Sequence, residues 1–128
     1  GIGRNVLDPD DGSGERIARA VEGAGSDDDT PAQVFAQYAN RPENDPVALA
    51  AIMRRPRRPL TATELAGATC NTLVVIGDRD FAAPASRLAS AFPDGKLVEL
   101  PRTDHFATPG AFPFIDSVMQ WLETRFPK

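Results

Sequence analysis

The sequence predicts an α/β fold, and three observations carry that expectation. The run Thr72-Leu73-Val74-Val75-Ile76 is short, unbroken and rich in branched residues, and Gly77 ends it. That pattern suits a strand buried on both faces of a parallel sheet. A second strand-like segment at residues 96–100 follows a helix-length stretch opened by Pro84. Residues 113–126 then place Phe114, Val118, Trp121, Leu122 and Arg125 at i, i+4, i+7, i+8 and i+11, one face of a helix that docks on a sheet. The second half is therefore expected to be a β-α-β-α unit.

Taken in order, the elements begin with helices. The chain opens on Gly1-Ile2-Gly3-Arg4-Asn5-Val6 and at once meets Asp8, Pro9, Asp10, Asp11 and Gly12. This looks like the tail of one element followed by a turn, as in a chain entered in mid-structure, and suggests the C-terminal part of a longer protein. Ser13 is placed to cap a helix over 15–21, with Gly23 and Gly25 as stops. Thr30-Pro31 sets a cap and a first-turn proline ahead of a helix over 32–40, where Val34, Phe35 and Tyr38 share a face. Asp45-Pro46 repeats the device ahead of 47–54, with Leu49, Ile52 and Met53 as the apolar side. Three short, separately capped helices joined by polar turns suggest a lid. The run Arg54-Arg55-Pro56-Arg57-Arg58-Pro59 cannot continue a helix and serves as a connector.

Beyond it, Thr61 and Glu64 have capping-box spacing. The helix from Pro84 is expected to reach about Phe92, where Pro93-Asp94-Gly95 ends it. Pro101 ends the second strand, and a loop runs to Thr108-Pro109. The expected division is a helical lid or cap segment at 1–60 and a βαβα unit at 61–128. Neither an internal repeat nor a low-complexity tract interrupts the chain.

Composition excludes several function classes. The 128 residues are one domain's length, 41% hydrophobic and 25% charged, as in an ordinary globular chain. No apolar run approaches the ~18 residues of a membrane span. Cys70 is the sole cysteine, so a disulfide scaffold is excluded, and with His105 the sole histidine a zinc finger is excluded as well. A net charge of -4 argues against nucleic acid as a partner, because phosphate affinity needs a basic footprint. The composition suits a small acidic cytoplasmic domain.

The chemistry concentrates on two loops. Parallel strands joined by a helix usually lie side by side, and ligands bind at their carboxyl ends. Gly77-Asp78-Arg79-Asp80-Phe81 leaves the first strand at that edge, and Arg102-Thr103-Asp104-His105-Phe106 leaves the second. With strands ~4.8 Å apart, Asp80 and His105 can meet. An Asp accepting the Nδ1–H of a His fixes its tautomer and stabilises the imidazolium, as a nucleophile's base requires. The same residues also fit a plainer arrangement, with Asp80 capping the helix at Pro84 and His105 on a surface loop. Asp78 and Asp80 as the metal cluster of a receiver-like domain is a weaker alternative. Asp27-Asp28-Asp29 suits a solvated turn, and residues 8–12 miss the spacing of a calcium loop. Phe81 and Phe106 suit either an acyl pocket or core packing.

Residues 72–80, Leu97-Val98-Glu99-Leu100-Pro101 and Asp104-His105-Phe106 together resemble the C-terminal end of α/β-hydrolases. In that family a late strand ends in Gly-x-x-Asp, the triad acid, matched here by Gly77 and Asp80. The next strand is followed by a loop bearing the triad histidine, matched by His105. Asp104 stands where the family often has glycine. The resemblance implies that residues 13–60 are the inserted lid and that Gly1-Ile2-Gly3 ends the preceding strand. It also implies esterase-like hydrolysis of a small ester-like substrate without a cofactor. The family's Gly-x-Ser-x-Gly nucleophile turn does not occur in the sequence. The nucleophile is then expected from an N-terminal part of the same protein, and the chain alone is expected to be inactive and to pair with that part or with a second copy. The alternative is a non-catalytic association module, a dimerising remnant of the fold.

Overall fold

A computed structural model describes residues 2–127. A 3-10 turn at Arg4–Val6 leads into helices α1 (Ser13–Val21), α2 (Thr30–Ala39), α3 (Pro46–Met53) and α4 (Ala62–Ala66). Strand β1 (Thr72–Gly77), helix α5 (Ser86–Ala91) and strand β2 (Gly95–Leu100) follow, then a 3-10 turn at Thr108–Gly110 and helix α6 (Phe112–Arg125). The chain divides into two compact units: Asp10–Arg58 forms one, and the described residues on either side of it form the other. The described residues up to Pro9 thus belong to the same unit as the second half.

The helical unit is built on alanine. Ala18 and Ala20 of α1, Ala32, Ala36 and Ala39 of α2, and Ala50 of α3 are all buried, joined by Val21 and flanked by Ile17, Leu49 and Met53. Small residues let helix backbones approach closely, and α1 packs on both α2 and α3. The expected face of α2 is therefore corrected: Val34 and Phe35 are half-buried and Tyr38 is half-exposed, while the alanines face inward. Ile52 of α3 is likewise exposed.

Two expected caps move by one residue. Gly12, with φ +75, holds the N-cap of α1, so Ser13 is its first helical residue, with its N–H donated to Asp11. Asp29, not Thr30, caps α2 by accepting the Ala32 N–H at 3.3 Å. Asp45 caps α3 as expected, accepting from Val47 and Ala48 at 3.0 and 3.1 Å. Each such carboxylate satisfies donors that no helix can satisfy internally. Arg54, just after α3, donates to Glu15 of α1 at 2.9 Å and to Glu22, which follows α1, at 2.8 Å. The guanidinium holds the Glu22 carboxyl below the usual range, and the two carboxylates push Arg54 up.

The second unit carries a parallel β1–β2 sheet, mixed with helices in the manner of an α/β protein. The register runs from Thr72↔Gly95 to Gly77↔Leu100. Helix α5 is the crossover that parallel pairing requires. Val74 and Ile76 bury one face of β1 against Leu65 of α4 and Leu88 and Ala89 of α5. The capping box of α4 is complete: Thr61 accepts from the Glu64 N–H, and Glu64 accepts from the Thr61 N–H at 2.8 Å. α5 starts two residues later than expected, because Ala82 and Ala83 donate their N–H groups back to Asp80 and extend the turn.

β1 is less enclosed than its sequence implies. Leu73 and Val75 alternate to the other face and are only half-buried. α6 contacts both strands, yet none of its residues is fully buried. Of its expected inward face, Phe114, Val118 and Trp121 are half-buried, whereas Leu122 is exposed and Arg125 pairs with Asp94. The expected strand end at Gly1-Ile2-Gly3 is also corrected. Gly1 lies outside the described residues, Ile2 and Gly3 are not in a strand, and Arg4–Val6 is a 3-10 turn. Among the described residues no helix is long and apolar enough to cross a membrane.

Candidate functional site

The loops that leave β1 and β2 at their carboxyl ends are laced together by their backbones. Asp78 N–H donates to Leu100 O at 3.0 Å, Arg79 N–H donates to Thr103 O at 3.1 Å, and the Asp78 carboxylate accepts the Thr103 N–H at 3.2 Å. Gly77 makes this lacing feasible, since a Cβ there would overlap the Thr103 carbonyl. Arg102, with φ 56, turns the second loop back toward the first. Left-handed backbone at a non-glycine residue is uncommon and marks a loop held by its surroundings.

The lacing delivers Asp80 and His105 to one point. His105 Nδ1 lies 3.1 Å from both Asp80 Oδ1 and Oδ2. The Asp80 side chain is 1% exposed and that of His105 14%. Asp80 is itself fixed from behind: its Oδ1 accepts the Ala82 N–H at 2.7 Å, and its backbone N–H donates to Gly77 O at 3.1 Å. The Phe81 ring stacks on the imidazole with centroids 4.2 Å apart and planes 26° apart. Phe106 meets the imidazole edge-on at 5.2 Å and 74°. The two phenyl rings cover the sides of the imidazole and so limit its rotation.

The neighbouring carboxylates have other duties. Asp104 Oδ1 accepts the N–H groups of Phe106 and Ala107 at 3.0 and 2.9 Å, which holds the turn that presents the histidine. It is Asp80, and not Asp104, that meets the ring at Nδ1. Asp80 does not cap α5, whose N-terminus has no side-chain cap. Asp78 and Asp80 engage different partners, and among the described residues no group of three His, Cys, Asp or Glu side chains could hold a metal ion.

A carboxylate can only accept, so this contact puts the proton on Nδ1 and leaves the lone pair of the neutral ring on Nε2. The arrangement can take a proton at Nε2, hold the resulting imidazolium against a buried carboxylate, and give the proton back. Sequence reasoning named Asp78 only as a metal candidate and missed its role as the clasp on the histidine loop. Its spacing from Thr103 gives no pattern that would reveal it. No protein-family model, curated protein or solved structure matches the chain.

Proposed function

We propose that residues 61–128 are the C-terminal part of an α/β-hydrolase core, that residues 1–60 supply its helical lid segment, and that the protein hydrolyses ester-like substrates without a cofactor. The observation that supports this reading is the contact of His105 Nδ1 with both oxygens of a buried carboxylate, on loops leaving adjacent parallel strands. His105 acts as general base and then general acid, and Asp80 orients it. Nε2 removes the proton from a hydroxyl nucleophile, whose oxygen attacks the acyl carbon. Collapse of the tetrahedral intermediate breaks the ester bond, and the leaving alkoxide takes the proton from Nε2. A water molecule, deprotonated in turn by Nε2, then releases the acid and restores the hydroxyl.

The nucleophile on this reading comes from an N-terminal part of the same protein or from a second copy. The enzyme works in the cytoplasm, where Cys70 stays reduced. The alternative, a non-catalytic association module, draws on the half-covered β1. The test is hydrolysis of a p-nitrophenyl ester by the intact gene product and by the 128-residue chain. The intact protein is expected to turn over, and Asp80→Asn to lower kcat by on the order of 10³–10⁴-fold through the wrong tautomer. Turnover by the 128 residues alone would place the nucleophile within them. Unchanged turnover of the intact His105→Ala variant would remove the reading.

A further inference from the structure

The unit that holds the histidine site ends in a helix with two apolar sides. Phe114, Val118 and Trp121 form the half-buried side of α6 and line one groove with residues 72–75 of β1. A second stripe consists of Phe112, Ile115, Met119, Leu122 and Phe126. All five are exposed, Phe112 to 82% and Phe126 to 66%. The stripe runs from the first residue of α6 to its C-cap, with intervals of 3, 4, 3 and 4 residues. Docking on a sheet needs one apolar stripe, which the first side supplies. The 3-4 repeat of the second is that of a helix seated against another helix.

Size and charge specify what seats there. The stripe is about 21 Å long, at about 1.5 Å per helical residue. It exposes roughly 500 Å² of apolar surface, taking on the order of 150–200 Å² for a fully exposed large side chain. Patches of that size on a soluble protein mark interaction surfaces. Asp116 and Glu123 stand beside the stripe, one residue beyond Ile115 and Leu122, and both are exposed. On the other flank Val118 is half-buried and Arg125 is held by Asp94. The accessible flank is therefore acidic, and charges beside a helical seam set the choice of partner. A second copy suits it poorly. A two-fold pair brings the same flank of both helices together, acid against acid.

We propose that the outward stripe of α6 is a docking surface for an amphipathic helix of another protein, one with an apolar seam and lysine or arginine along the side that meets Asp116 and Glu123. The inference rests on α6 alone and stands whether or not the catalytic reading does. The incoming helix lays its apolar residues over Ile115, Met119 and Leu122, and Phe112 and Phe126 close the two ends of the contact. Opposite charge on the flank then selects the partner and its register.

The probes are two designed helical peptides with the same leucine seam, one with lysine and the other with glutamate on both flanks, so that like charge keeps each monomeric. Fluorescence anisotropy of each labelled peptide is followed as the full chain of 128 residues is added. The lysine peptide is expected to bind about tenfold or more tightly than the glutamate peptide, and to weaken as salt is raised. Met119→Glu, at an exposed position, is expected to abolish binding while leaving the urea midpoint unchanged. The double variant Asp116→Lys, Glu123→Lys is expected to reverse the preference between the peptides. Equal binding of the two peptides, or binding that Met119→Glu leaves intact, would overturn the proposal. So would a wild-type chain that is a dimer by light scattering and a monomer as Met119→Glu, because a second copy would then occupy the stripe. The intact gene product is titrated alongside and is expected to bind the lysine peptide as well. Binding by the 128 residues alone would show that the protein's own chain covers the stripe, and this too would overturn the proposal.

Discussion

Gly77 and Thr103 approach so closely that the carbonyl of Thr103 occupies the space a side chain at position 77 would need. This contact joins the end of β1 to the loop after β2, three residues before the acid and two before the base. Space, and not backbone conformation, demands glycine there, because only Gly12 and Gly23 among the described glycines have positive φ. Gly77→Ala is therefore expected to push the histidine loop away and to cost about 1–3 kcal/mol, the usual range for overpacking. Gly110→Ala, where a Cβ meets nothing within 4 Å, is the control, expected to stay within about 0.5 kcal/mol. Urea unfolding of both variants measures the difference. Equal midpoints for the two would contradict the packing argument.

The tautomer of His105 is a second observable, and it needs no substrate. The ring is expected as the Nδ1–H form, its proton shared with Asp80, with the lone pair on Nε2. Nitrogen NMR of the imidazole separates the two tautomers directly. Asp80→Asn presents either a carbonyl or an amide to Nδ1, so the mixture should move toward Nε2–H. A wild-type ring already in the Nε2–H form would mean that the carboxylate does not orient it.

The meeting of Asp80 with His105 was legible in the sequence because it follows from topology. Two apolar strands separated by one helix-length segment pair in parallel, and the residues just after each then share an edge. The caps were less legible because the residue just before each hydroxyl takes the position: Asp29 caps ahead of Thr30, and Gly12, with positive φ, stands at the N-cap ahead of Ser13. The face of α2 was misjudged for a different reason. Large apolar side chains weigh most in a periodicity argument, but close helix packing selects Ala32, Ala36 and Ala39, and it leaves Val34, Phe35 and Tyr38 toward the rim. The open edge of β1 was legible only in part: its unbroken apolar run marks an interior strand, and the sequence offers one other strand to pair with it. A strand's pattern tells which faces are apolar, and it does not tell which neighbours are present.

That alanine core makes a third prediction. Ala36 lies among buried alanines, including those of α1. Ala36→Leu is expected to destabilise by about 1–3 kcal/mol despite its greater apolar area. Tyr38→Leu, at a half-exposed position, is expected to change stability by less than about 0.5 kcal/mol. Circular dichroism at 222 nm during urea unfolding reads both. A stabilised Ala36→Leu variant would show that the helices are packed more loosely than their contacts imply.

The pH dependence of the same unit follows from Arg54. Its guanidinium bridges Glu15 of α1 and Glu22 at the end of that helix, and the hydrogen bonds it donates hold the Glu22 carboxyl below the ordinary glutamate range. Asp11 is lowered as well, by its hydrogen bonds with Ser13. A carboxyl with a lower pKa folded than unfolded binds fewer protons in the native state over that interval. Its contribution is therefore present above the unfolded value, about 4.3 for glutamate, and is lost as pH falls through the lower folded value. Stability from these two groups should be level between neutral pH and about 5, then decline below about 4. Both groups are solvent-exposed, so the decline should be shallow and should weaken further in high salt. Glu22→Gln is expected to remove part of the acid slope, and Arg54→Met to remove most of the share that depends on the bridge. Urea midpoints measured from pH 7 to 3 compare the three chains. Identical acid slopes in wild type and Arg54→Met would mean that the bridge to α1 contributes nothing to folding.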